Sequence, residues 1–141
     1  MVDLVQVKEM VEDVDGLAGL FMWAAETERS MPRAYDLRVR GCWPEVTPDR
    51  QLAYGYNEVE VRRGPASARD VTCYDVALEL TKLMPVEDAR IVWGAAHSAV
   101  GRQRGIAWTR LGKMLGMHPQ TVKRRFESAI MDLWYKILYA C

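Results

Sequence analysis

The sequence predicts an all-α fold, and three observations predict it. Every strong apolar periodicity in the chain has three- and four-residue spacing, the signature of one helix face. Alternation of the strand kind is weak, with Glu58–Arg62 the only candidate. Half of the 141 residues are apolar and the formal net charge is zero, so the chain can bury a core and lacks the composition of a disordered segment. The expected architecture is a helical bundle with a long N-terminal helix and a C-terminal pair of helices joined by a tight turn. The length fits one domain. Residues 1–66 supply the N-terminal helix and an irregular connection, and 67–141 the remaining helices, together expected to form one compact unit.

The first helix is predicted over Val7–Arg29. Val7, Met10, Val11, Val14, Leu17, Leu20, Phe21 and Ala24 form one apolar stripe. Gly16 and Gly19 weaken its middle, by about 1 kcal/mol each relative to alanine, and Pro32 stops it. Residues 32–66 hold Pro32, Gly41, Pro44, Pro48, Gly55, Gly64 and Pro65 and are the least regular part. Short helical turns are expected at Arg33–Val39 and Asp49–Tyr54, an exposed connection at Glu58–Gly64, and anchoring to the core by Trp43, Tyr54 and Tyr56.

Ser67–Leu83 follows as a helix. Ser67 and Asp70 stand at capping-box spacing. Val71, Tyr74, Leu78 and Thr81 or Lys82 are expected on one side, with Ala77, Leu80 and Met84 continuing the apolar surface. A further helix is expected at Pro85–Ala96, with proline in its first turn and Glu87 and Asp88 where the helix dipole favours anions. Ile91, Val92 and Trp93 supply its burial. A loop over Ser98–Gly105 carries Arg102 and Arg104.

Gly105–Leu138 is the most informative stretch. A short helix over Trp108–Leu115 places Leu111 and Leu115 on one face, with Met114 beside them. Gly112 falls where two helices must pass closely. Gly116 ends the helix, because glycine takes the left-handed C-terminal conformation without a Cβ penalty. His118-Pro119 opens the last helix. Val122, Phe126, Ala129, Ile130, Leu133 and Ile137 form its buried stripe. Gln120, Thr121, Lys123, Arg124 and Glu127 take the opposite side near its start. That is the division of labour of a recognition helix, whose first residues reach base edges and phosphates while its other face packs on the preceding helix.

Charge distribution points the same way. Residues 1–30 hold seven acids against two bases, whereas Ala89–Phe126 holds no Asp or Glu and eight bases. A basic block beside an acidic one describes one surface that attracts phosphate and another that does not.

The pattern Leu-Gly-x-x-Leu-Gly-Met-x-x-x-Thr-Val-x-Arg-Arg, from Leu111 to Arg125, resembles the helix-turn-helix of sigma-factor region 4 and related regulators. It departs at His118, where an N-cap Ser, Thr or Asp is usual. The wider chain resembles a family of small helix-turn-helix proteins encoded by bacteriophages and prophages of proteobacteria. The residues that carry this are Met31-Pro32, Trp43-Pro44-Glu45-Val46, Ala53-Tyr54-Gly55-Tyr56, Pro85–Trp93 and Ile106–Ile130. The resemblance implies a phage-related nucleic-acid protein without an assigned biochemical role.

The expected partner is therefore double-stranded DNA. Gln120 and Thr121 are placed near base edges, and Lys123 and Arg124 on bases or phosphates. Arg102, Arg104, Arg110 and Lys113 are candidates for the backbone on either side of the groove. Arg125 reaches a phosphate or pairs with an acid of the N-terminal region. A dimer is expected, because two related helix-turn-helix units double the site. Trp134, Tyr135 and Tyr139, or the N-terminal helix, would supply its interface.

Three readings compete: a transcriptional regulator, the small DNA-recognising subunit of a packaging terminase, and an adaptor that docks on RNA polymerase through the acidic N-terminal third. The terminase class usually places its DNA-binding domain first, the reverse of the order here.

Other function classes find little support. Cys42, Cys73 and Cys141 are widely spaced, and with only His97 and His118 beside them they do not form a zinc or disulfide framework. No Walker A loop or nucleophile–base arrangement is legible, so neither an enzyme nor a cofactor is expected. The longest apolar run, Leu17–Ala25, is nine residues, against ~20 for a membrane span. Met-Val-Asp-Leu lacks the basic start of a secretory signal. The expected location is the cytoplasm of a bacterial host.

Overall fold

Asp13 interrupts what the periodicity presents as one N-terminal helix. In the computed structural model, which describes residues 4–31 and 66–139, α1 spans Leu4–Met10 and α2 spans Val14–Ser30. Asp13 is extended between them, and its carboxylate accepts the Gly16 N–H at 2.6 Å. That satisfies one of the four amide donors a helix start leaves free. The apolar stripe survives the break, with Val7, Val11, Leu17, Leu20, Phe21 and Ala24 all buried, but Met10 lies at the break and is exposed. α2 ends as expected: Met31 is extended (φ −73°, ψ 145°), the conformation preferred before proline. The helical turns, aromatic anchors and strand candidate expected within 32–65 lie outside the described residues.

Helix α3 spans Ala68–Thr81 and opens with the full capping box. The Asp70 N–H donates to Ser67 Oγ, and the Asp70 carboxylate accepts from the Ser67 N–H at 2.8 Å. The same carboxylate accepts the Trp23 indole N–H at 2.9 Å, tying α3 to α2. The Arg69 guanidinium lies over the Trp23 ring, 5.4 Å from its centroid. The buried face of α3 is Cys73, Val76, Ala77 and Leu80: Ala77 and Leu80 belong to the expected apolar surface, whereas Val71 and Leu78 of the expected side are exposed and Tyr74 is half-buried. Packing against α2 selects this face.

Helix α4 spans Val86–Ala99, three residues beyond its expected end. Trp93 is its pivot. The ring meets Phe21 of α2 edge-on at 5.7 Å and Tyr74 of α3 at 6.2 Å. Its indole N–H donates to Thr81 Oγ at 2.9 Å, so the polar edge of this half-buried ring is satisfied.

Helix α5 spans Trp108–Leu115 and α6 spans Pro119–Tyr139. The buried residues of α6 are Val122, Phe126, Ala129, Ile130, Leu133 and Ile137, the expected stripe in full. α6 is the spine: it packs on α1, α2, α4 and α5. One continuous core runs from Val7 to Ile137, so the N-terminal helices and the C-terminal four share it. Among the described residues all six elements are helices and no strand occurs, and no helix is long and apolar enough to cross a membrane.

Two outcomes follow. The Asp70 carboxyl is held below the usual aspartate range, first by the Ser67 hydroxyl, then by the Ser67 amide and the Trp23 indole. A group depressed in the folded state contributes stability above its unfolded value and loses it as pH falls through the folded one. Urea unfolding of wild type and Asp70→Asn should therefore show wild type more stable at neutral pH, with the gap closing in acid. Gly19 lies mid-helix with open space where a Cβ would stand, so Gly19→Ala should raise the unfolding free energy by about 0.5–1 kcal/mol.

Candidate nucleic-acid interface

The geometry of the site is set at the turn between α5 and α6. Gly116 is left-handed (φ 66°, ψ 28°), and the next amide, Met117 N–H, folds back onto the Gly112 carbonyl at 2.9 Å. This six-to-one bond is the Schellman ending of a helix. Gly112 itself has no room for a side chain: a Cβ there would stand 2.7 Å from the Met117 carbonyl oxygen and 3.2 Å from Pro119 N. The close passage expected at Gly112 is thus with the backbone of the turn. The missing hydroxyl cap of α6 is replaced by a ring: His118 Nδ1 accepts the Gln120 N–H at 3.3 Å. Farther along, Trp108 meets Phe126 edge-on at 5.5 Å and holds the start of α5 against α6.

The loop before α5 is fastened at both ends. Ser98 Oγ donates to the Ala95 carbonyl at 2.8 Å and accepts the Ala107 N–H at 3.1 Å, joining the end of α4 to the start of α5. Between left-handed Gly101 and Gly105 the chain presents Arg102 and Arg104 to solvent.

The structure gathers the nine candidate residues into three groups. Arg102, Arg104, Arg110 and Lys113 line one open groove of about 490 Å³ with Ile106, Trp108 and Thr109. None of these four bases is paired with a carboxylate among the described residues. Gln120, Thr121, Lys123 and Arg124 are exposed on the first two turns of α6. Lys123 faces Glu127 at 3.9 Å, but both are well exposed, and such a pair is weak. The two groups meet through the α5–α6 turn.

Arg125 stands apart. Its guanidinium contacts Asp88 at 3.1 Å, Glu87 at 3.4 Å and the Met117 sulfur at 3.9 Å. It pairs with acids, as one alternative held, but these come from the first turn of α4 and not from the N-terminal region. Half-buried and committed to α4, it braces the turn and is not offered to a phosphate. Sequence reasoning missed Arg29. The last turn of α2 brings it to the same end of the molecule, where it donates to the His97 carbonyl at 2.8 Å. No periodicity or motif connects Arg29 to the basic block, and only the tertiary fold does.

The bracing roles are measurable. Gly112→Ala should cost about 1–3 kcal/mol, because backbone must shift to admit the methyl. In a double-mutant cycle Arg125→Gln and Asp88→Asn should show a coupling of about 0.5–1 kcal/mol in chemical unfolding. Additive effects would remove the brace.

No curated protein and no solved structure matches the chain. A family model, described as a domain of unknown function (DUF6362), matches residues 29–133. The match begins at Arg29, runs through the basic groove and the α5–α6 turn, and stops at Leu133 in the α6 stripe; the chain belongs to the DUF6362 family.

Proposed function

We propose that this protein binds double-stranded DNA through α5 and the start of α6, as a transcriptional regulator of the phage or prophage type its sequence resembles. One observation carries the reading: four bases line a single groove beside a two-helix unit whose second helix exposes Gln120, Thr121, Lys123 and Arg124. The bases of the groove supply sequence-independent attraction to phosphate. Gln120 and Thr121, two exposed hydrogen-bonding side chains on the first turn of α6, suit base edges in the major groove. Burial of Val122 and Phe126 fixes the rotation of α6 and so decides which side chains reach outward.

The regulator would act as a dimer. Met131, Tyr135 and Tyr139 recur every four residues on the outer side of α6, exposed at 42%, 48% and 81%. The two tyrosine rings stack at 6.1 Å. Trp134, the other aromatic weighed for a dimer contact, packs against the core instead.

Pull-down of mixed genomic duplex fragments followed by sequencing should enrich one palindromic site with wild type and none with Lys123→Ala/Arg124→Ala. Equal enrichment by the double variant would remove α6 from the interface. Light scattering should give a dimer that Tyr135→Glu/Tyr139→Glu converts to monomer; a ring of many copies would favour the packaging reading.

A further inference from the structure

Behind the basic groove lies a second cavity of about 370 Å³, between the last turn of α2, the end of α4 and α5. Its walls divide by chemistry. Three arginines, Arg29, Arg102 and Arg110, line it from three separate parts of the chain. Val100, Ala107, Leu111 and Met114 supply an apolar floor and wall. Among the described residues no carboxylate lines it. Arg29 is held in place by its bond to the His97 carbonyl, and His97 in turn contacts Glu28 at 2.8 Å. Arg102 and Arg110 have no carboxylate partner among the described residues.

A backbone phosphate of DNA needs charge and hydrogen-bond donors but has no use for an apolar floor. Planar guanidiniums prefer carboxylates and phosphates, which they grip with two parallel bonds. Apolar walls with a few convergent polar groups, in a volume of this size, characterise small-molecule sites. We propose that this cavity binds a small organic anion, a carboxylate carried on a compact apolar body. Arg29, Arg102 and Arg110 take the charge, and Leu111, Val100 and Met114 take the body.

Arg102 and Arg110 also line the DNA groove. An anion in the cavity therefore neutralises two of the four groove bases and competes with DNA, and by linkage DNA weakens the anion by the same factor. This coupling rests on the DNA-binding reading; the cavity itself does not.

The test uses the full chain and three probes. Benzoate has both charge and apolar body, benzyl alcohol the body alone, and inorganic phosphate the charge alone. In amide NMR titrations, benzoate should cause saturable shifts at Gly94, Ala107 and Leu111, and the other two should bind at least tenfold more weakly. Arg29→Gln should weaken benzoate at least tenfold with the helical spectrum unchanged. Met114→Glu sets a like charge beside the anion at an exposed position, so it should abolish binding with the helical spectrum unchanged. Absence of saturable shifts, phosphate binding as tightly as benzoate, or benzoate insensitive to both variants would overturn the site. In the second arm, saturating benzoate should weaken DNA binding. DNA binding that ignores bound benzoate would overturn the coupling. Benzoate binding by a protein that binds no DNA under any condition would leave the cavity standing and overturn the DNA reading.

Discussion

The display of the basic residues depends on how closely α5 meets the start of α6. Gly112 has no Cβ, and the Met117 carbonyl and Pro119 occupy the space where one would stand. This contact sets the angle at which the two helices leave their turn. The six-to-one bond from Met117 to Gly112 closes the turn, and Arg125 braces it on the acids of α4. Everything proposed for the surface inherits this geometry: a groove on one helix and a set of polar side chains on the other have a fixed relation only if the joint between them does not flex.

Below the joint, stability comes from a core that ignores the boundary between the N-terminal and C-terminal parts of the sequence. α6 carries most of it, because its stripe of six buried residues faces four other helices. Trp93 organises the far side, where α2, α3 and α4 converge on one ring. Polar groups are used at the margins of this core. Asp13, Asp70, Ser98 and His118 each satisfy a backbone donor at a helix end, where water would otherwise be needed.

The C-terminal half was the legible half. The bounds of α5 and the stripe of α6 follow from spacing alone, since Gly116 and Pro119 punctuate a strongly amphipathic run. The N-terminal half was less so, for identifiable reasons. Asp13 is followed three residues later by Gly16, whose amide it caps, but the unbroken stripe from Val7 to Ala24 masks that signal. In α3 the apolar residues are spread round the helix, so the buried face is decided by contact with α2 and not by periodicity. The bracing of Arg125 and the convergence of Arg29 with Arg102 and Arg110 are tertiary facts, each joining residues far apart in sequence. The basic groove was legible as charge, from the acid-free stretch Ala89–Phe126, but not as a shape.

Salt dependence of duplex binding tests the central claim most directly. If the groove bases and the start of α6 meet phosphates together, log Kd should rise with log salt with a slope of about 4 or steeper, at roughly 0.9 per phosphate neutralised. Lys123→Ala/Arg124→Ala should flatten that slope by about 2 while the helical spectrum stays unchanged. A duplex affinity independent of salt, or a slope the double variant leaves untouched, would contradict the account.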